Sequence, residues 1–151
     1  MAAADDTYLP PEATGSAPGR ARLAGRRVLV VGAGTRPSPE PDPPIGNGRA
    51  ITVLAAREGA SVVCADRDQA AAEATATLAR AEGARAEVVV ADVAEPAACA
   101  TMVGQAADAL GGLDALVAAA GKVTGRSACL PSSAPFAVMS GYRAPAGVVN
   151  V

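Results

Sequence analysis

Between residues 23 and 121 the chain alternates short unbroken apolar runs with longer stretches in which apolar positions return every three or four residues. Arg27-Val28-Leu29-Val30-Val31 is a run of aliphatic, mostly β-branched residues that stops at Gly32, the pattern of a parallel strand covered on both faces. Gly48 to Glu58 (GRAITVLAARE) sets Ile51, Leu54 and Ala55 on one helical face and ends at Gly59, a natural C-terminal stop. Ser61-Val62-Val63-Cys64-Ala65, closed by Asp66, reads as a second strand, and Asp68 to Glu82 as an alanine-rich helix ended by Gly83. Glu87-Val88-Val89-Val90-Ala91, closed by Asp92, reads as a third strand. The next helix runs from about Glu95 to Leu110, with Pro96 in its first turn, where a missing N–H costs nothing, and Gly111-Gly112 beyond its end. Leu113 to Ala119 (LDALVAA) supplies a fourth strand. Strict alternation of strands and helices of this length predicts an α/β fold of βαβ units, with a parallel sheet and right-handed crossovers.

The flanks break the pattern. Met1 to Arg22 carries Asp5, Asp6, Pro10, Pro11, Gly15, Pro18 and Gly19 with no periodic apolar face, and reads as a disordered tail. Gly121 to Val151 is rich in Ser, Pro and Gly and irregular until Gly147-Val148-Val149-Asn150-Val151, which resembles a fifth strand as it begins. A second interruption, residues 35–45, falls between strand one and the first helix. Its five prolines (37, 39, 41, 43 and 44) forbid helix or central strand and favour an extended arm. The expected organisation is a tail over 1–22, an α/β portion over 23–121 with the insertion 35–45, and an irregular segment over 122–151.

Composition narrows the function classes. Half the residues are apolar, chiefly Ala and Val, with one Phe, two Tyr and no Trp, so the core must come from small side chains at close helix and strand contacts. A net charge of -2 without a Lys/Arg cluster argues against nucleic acid or anionic lipid as the main partner. No apolar run approaches the roughly 20 residues that span a bilayer, and the N-terminus lacks the basic start and apolar centre of a secretory signal. The expectation is a cytoplasmic location with no membrane partner. Cys64, Cys99 and Cys129 are odd in number and widely spaced, which suits neither a disulfide framework nor a zinc site. The absence of histidine removes Ser-His and Cys-His catalysis and most zinc chemistry, so no metal ligands are expected.

The chemistry that remains sits after strand one. Gly32-Ala33-Gly34 and Gly46-Asn47-Gly48 bracket the insertion, and removing about ten residues between them leaves a glycine-rich strand-to-helix turn. In such a turn Gly32 permits the tight bend, Gly46 lets backbone approach a pyrophosphate, and Gly48 lets helix and strand pack closely. The first-turn amides of the helix then face the phosphates. No Gly-Lys-Ser/Thr follows the glycines, which argues against an ATPase or GTPase. Asp66 lies 18 residues after Gly48 at the end of strand two, where a carboxylate accepts hydrogen bonds from an adenosine ribose. Capping the next helix is its other reading, a task Asp68 could perform instead. The insertion reads either as a tolerated surface loop or as a cofactor lid with Arg36 reaching a phosphate.

Together these residues resemble the short-chain dehydrogenase/reductase family: Leu23-Ala24-Gly25-Arg26 before strand one, the split glycine motif, Asp66, Asp92-Val93, and Ala118-Ala119-Ala120-Gly121 after strand four. The resemblance covers residues 23–121. It implies a Rossmann-type doubly wound sheet in the order 3-2-1-4, adenine contacts from Asp92 and Val93, and cofactor contacts from Ala119, Ala120 and Gly121, the run from Ala118 to Gly121 standing where the family usually has Asn-Asn-Ala-Gly. Gly32, Gly34, Gly46, Asn47, Gly48, Asp66 and Arg67 complete the expected cofactor-binding set. Asp66 favours NAD over NADP because its charge repels a 2′-phosphate, and Arg67 beside it works the other way.

The family's catalytic Tyr with a Lys four residues later has no counterpart. Tyr8 and Tyr142 are followed at that distance by Glu12 and Ala146, the sole lysine is Lys122, and Arg143 is adjacent to Tyr142 instead of a turn away. No catalytic residue is therefore assigned, and the expectation is a chain truncated relative to the family before its catalytic segment. Strand four would then be an exposed apolar edge, prone to self-association. Three readings follow: a short-chain dehydrogenase-type oxidoreductase that binds NAD but does not by itself transfer hydride to or from an unidentified substrate; a non-catalytic nucleotide-binding or partner-completed module; and a methyltransferase-like Rossmann fold, which accounts less well for Asp92-Val93 and the Ala-Ala-Ala-Gly run.

Overall fold

The four apolar runs lie side by side as the strands of one sheet. The computed structural model describes residue 11, residues 15–39, residue 41 and residues 44–121. Its elements follow as β1 (Arg27–Val31), α1 (Asn47–Arg57), β2 (Ser61–Asp66), α2 (Gln69–Ala81), β3 (Ala86–Val90), α3 (Pro96–Leu110) and β4 (Ala115–Ala118). All strand pairs are parallel, in the order β3-β2-β1-β4. The fold class and strand order are those the sequence implies, and element ends differ from the expected ones by up to two residues. The expected fifth strand at 147–151, together with Tyr8, Pro43, Lys122, Cys129 and Tyr142, lies outside the described residues.

Alternation along each buried strand divides the core in two. Val28, Val30, Val62 and Cys64 face α1 and α2, while Leu29, Val31, Val63 and Ala65 face α3. The helices answer with small residues: α2 buries Ala72, Thr75, Ala76 and Ala79, one stripe at helical spacing. Alanine on that stripe brings helix backbone close to the sheet, which is how a chain with so few aromatics fills its interior. On the other face Met102, Ala106 and Leu110 of α3 cover the strands. Among the described residues no helix is long and apolar enough to cross a membrane, and β4 forms one edge of the sheet, with Ala115, Leu116 and Val117 half-buried.

Parallel pairing puts every strand's C-terminus on one rim, where the loops 32–46, 67–68, 91–95 and 119–121 emerge. The opposite rim collects the helix ends and the strand starts. There the segment read as a tail is held at its end: the Arg20 and Arg22 amides donate to Glu58 Oε2 (both 3.1 Å), and the Arg22 guanidinium to Oε1 (2.8 Å). A carboxylate at the C-terminal end of α1 thus gives residues 20–22 acceptors that a sequence without periodicity did not reveal. The described residues of the insertion form no helix or strand.

Candidate functional site

The glycine loop is shaped by two close backbone approaches. Gly32 leaves β1 with φ +78°, and a Cβ there would lie 2.6 Å from Ala120 N and 2.9 Å from Ala119 C, so the turn rests on the backbone that follows β4. Gly48 is buried in the first turn of α1, and a Cβ on it would lie 1.9 Å from Gly32 O. Any larger residue at 48 would push helix and strand apart. The turn is further fixed to its neighbours by Gly32 N and Ala33 N, which both donate to Ala65 O (2.8 and 3.1 Å), and by Ala119 N, which donates to Val31 O (2.8 Å). Gly46 is the N-cap of α1 and offers no side-chain cap, leaving the first-turn amides of Asn47 and Gly48 without a side-chain acceptor from the cap.

Asp66 closes this arrangement from the next strand. Its Oδ2 accepts from Gly34 N (2.9 Å) and its Oδ1 from Asp68 N (3.0 Å), while its backbone carbonyl accepts from Ala91 N (3.1 Å). The cap of α2 is Asp68, whose Oδ1 accepts from Ala71 N (3.1 Å). The choice left open by two carboxylates two residues apart is thereby made: Asp68 caps, and Asp66 faces the glycine loop with lone pairs still free to accept hydrogen bonds. Arg67 is exposed beside it.

Between the β2–α2 and β3–α3 loops lies an open depression of about 830 Å³, walled by Arg67, Asp68 and Gln69 on one side and Val90, Ala91 and Asp92 on the other. Asp92 uses Oδ1 to accept from Ala94 N (2.9 Å), which folds the loop back on itself. Val93 stands on that loop with 38% of its surface exposed. The structure thus brings Gly32, Gly48, Ala119 and Ala120 into contact and ties Gly34 to Asp66. Arg67 and Asp92 lie across the depression, and Gly46, Asn47, Val93 and Gly121 stand on the same rim.

Two residues that sequence reasoning passed over support this rim. Thr75, fully buried on α2, donates from Oγ1 to Ala33 O (2.9 Å), with Ala71 O (3.2 Å) as an alternative acceptor. The same oxygen accepts from Arg49 Nε (3.0 Å). Thr75 therefore links the loop, α1 and α2 through one hydroxyl. Its signal was present: it is the single polar position in the buried stripe Ala72, Thr75, Ala76, Ala79, and a buried polar group needs a partner. Thr35, the residue after Gly34, donates to Ile45 O across the insertion. Cys64 carries no such role; it is buried in β2, and burial pushes its thiol up to about 12.

Known proteins share this architecture. A sequence profile of the short chain dehydrogenase family matches residues 45–138. The chain belongs to the short-chain dehydrogenase family. It is 36% identical over 106 residues to an uncharacterised oxidoreductase of Bacillus subtilis, a segment covering 69% of this chain and 32% of that protein. It is 42% identical over 96 residues to an uncharacterised oxidoreductase of Mycobacterium tuberculosis, covering 64% and 33%. The chain thus spans about a third of the length of these relatives. Among solved structures, a short chain dehydrogenase from Mycobacterium smegmatis superposes with a TM-score of 0.57 at 30% identity, over 66% of this chain and 38% of that one. A 7α-hydroxysteroid dehydrogenase complexed with NADH and 7-oxo glycochenodeoxycholic acid superposes with a TM-score of 0.55 at 27% identity, over 64% and 34%.

Proposed function

We propose that residues 23–121 are the dinucleotide-binding portion of a short-chain dehydrogenase-type oxidoreductase and that they hold NAD in preference to NADP. The observation that carries this reading is the Gly34 N to Asp66 Oδ2 hydrogen bond, which sets an acidic side chain at the junction of glycine loop and second strand, the position of a ribose acceptor in dinucleotide folds. Gly32, Gly34, Gly46, Asn47 and Gly48 would offer backbone to the pyrophosphate, helped by the positive end of α1. Asp66 and Arg67 would meet the adenosine ribose, Asp92 and Val93 the adenine, and Ala119, Ala120 and Gly121 the part of the cofactor beyond the pyrophosphate. The lack of room for a Cβ at Gly32 and Gly48 supports the fit, because such a cradle is built by backbone. When bound, the nicotinamide would supply the hydride chemistry.

Charge favours NAD. Unit charges about 4 Å apart near a protein surface interact by about 4 kcal/mol, so Asp66 would oppose a 2′-phosphate, with Arg67 offsetting part of that repulsion. The NADH in the 7α-hydroxysteroid dehydrogenase complex agrees with this choice. Hydride transfer would need a proton donor and acceptor at the substrate oxygen, and no Tyr-x-x-x-Lys is present in these 151 residues; we therefore propose that they bind the cofactor without turning over substrate by themselves. Fluorescence titration of the chain with NADH and NADPH tests the reading. We expect NADH to bind at least roughly tenfold more tightly and Asp66→Ala to abolish that preference; tighter NADPH binding by the parent would overturn the choice of cofactor, and binding of neither would overturn the site.

A further inference from the structure

Where the insertion leaves and rejoins the glycine loop, a threonine side chain bridges its two ends. Thr35 Oγ1 donates to Ile45 O at 2.5 Å, joining residues ten positions apart. On the helix side Gly46 backs onto the same hydroxyl: its φ is +82°, and a Cβ there would lie 2.8 Å from Thr35 Oγ1. On the strand side Gly34 N is held by Asp66 Oδ2. Thr35 is half-buried, whereas Arg36, Pro37, Pro44 and Ile45 are exposed. The hydroxyl therefore lies between the two limbs of the loop.

A phosphate-binding turn must hold its amides to within about half an ångström. An intervening excursion of this length is easily accommodated, since closure entropy grows slowly with loop length. Cheap closure, however, does not by itself fix one limb against the other. Its five prolines worsen the problem, because proline-rich sequence favours extended backbone, which has no tendency to turn back by itself. A contact between the two ends is what can restore the geometry of an uninterrupted turn.

We propose that Thr35 is the positioning residue that splices the glycine loop across its insertion, its hydroxyl holding Ile45 so that Gly46, Asn47 and Gly48 stand against Gly34 as they would in a continuous motif. The proposal rests on the reading of this rim as a dinucleotide site. It also predicts that the role belongs to the insertion: when residues 36–45 are removed and Thr35 is joined to Gly46, the acceptor carbonyl is gone and the hydroxyl has nothing left to splice.

The test compares the parent, Thr35→Val, Thr35→Ser, the 36–45 deletion, and the deletion combined with Thr35→Val. Two readouts are taken: NADH affinity by fluorescence titration, and amide hydrogen exchange at Gly34 and Ala50 in the cofactor-free chains, Ala50 N being bonded to Gly46 O (3.0 Å). We expect Thr35→Val to weaken NADH binding roughly tenfold and to speed exchange at both amides. Thr35→Ser should keep the parent's values, and in the deletion background Thr35→Val should change either readout by less than about twofold. Equal loss of affinity in both backgrounds would overturn the proposal, because the hydroxyl would then act on the nucleotide directly. So would unchanged readouts in the full-length Thr35→Val chain. If no chain binds NADH or NADPH, the dinucleotide reading fails on its own account and the exchange rates still decide the splice: faster exchange with rescue by serine supports it, and unchanged rates sink it. If the deletion does not fold, those rates and the serine rescue decide alone.

Discussion

The two rims of the sheet are held by opposite means. At the rim of strand starts and helix ends, charged side chains cross between elements. Arg27 grips Asp114 through Nε and a terminal nitrogen (2.9 and 3.0 Å) and Gly111 O through the other (2.7 Å), Arg57 pairs with Glu82 (2.8 Å), and Arg22 with Glu58 (2.8 Å). At the rim of strand ends, backbone presses on backbone at Gly32 and Gly48, and hydroxyls and amides do the rest through Thr75, Thr35 and Gly34. Ion pairs tolerate some play, because Coulomb attraction falls slowly with distance. Close backbone packing tolerates almost none. The rim proposed as the dinucleotide site is thus shaped by close backbone packing and by backbone amides held on neighbouring oxygens, and the opposite rim uses its charges as ties.

If that contrast is right, the largest effect belongs to the smallest change on the loop rim. Gly48→Ala adds one methyl group that would stand 1.9 Å from Gly32 O, so the loop must shift by more than an ångström. We expect a destabilisation of about 1–3 kcal/mol and roughly a hundredfold loss of dinucleotide affinity, the scale of a 1 Å misplacement at a reacting site. Gly104→Ala is the control, since a Cβ on that exposed residue of α3 meets nothing within 4 Å; it should leave affinity alone and add up to about 1 kcal/mol of stability. Equal melting temperatures and affinities for the two variants would remove the distinction between the rims. Next in size is Thr75→Val, which keeps the shape and deletes the donor to Ala33 O. Leaving that carbonyl and Arg49 Nε without the hydroxyl should cost about 1–3 kcal/mol in the thermal melt and weaken NADH binding by roughly fivefold to tenfold. A loss of stability with unchanged affinity would make Thr75 a core residue with no bearing on the loop.

How far the sequence could be read follows the same division. The strands and the cluster of glycines were legible because backbone demands are written in residue type: a β-branched run marks a doubly covered strand, and glycine marks a place with no room for Cβ; the order of the strands followed only from the resemblance to a family. Asp66 stands out by its distance from Gly48, but which of Asp66 and Asp68 caps α2 is decided only by Asp68 Oδ1 on Ala71 N, since two carboxylates at a helix start look alike in sequence. Thr35 was hidden because it sits among residues that read as loop, and its partner lies beyond the prolines. Arg27 and Asp114 are 87 residues apart and belong to no motif; only the return of the chain to a strand beside β1 brings them together. Side-chain ties between distant elements are consequences of the topology and leave no local pattern.

The smallest expected effect tests the other rim, and it is a matter of acid. The Arg27 guanidinium and amide hold the Asp114 carboxyl at about 2, and the Arg22 guanidinium and amide, with the Arg20 amide, hold Glu58 at about 2, against about 4 for such groups in an unfolded chain. Their folded values are depressed, so the unfolded chain takes up protons first. The stability these carboxylates add is complete above about pH 4, shrinks as pH falls below it, and is gone near pH 2. Melting temperature followed from pH 6 down to about pH 2 should therefore fall more steeply for the parent than for Asp114→Asn combined with Glu58→Gln, and the two curves should converge at the acid end. Because both pairs are partly exposed, about 1 M salt, where the Debye length is about 3 Å, should narrow the gap at neutral pH. NADH affinity at neutral pH should be the same for both chains, since neither carboxylate lies on the loop rim. A parallel acid profile would mean that Arg27 and Arg22 do not hold these groups in solution, and a weakened affinity would mean that the two rims are coupled through the sheet instead of serving separate ends.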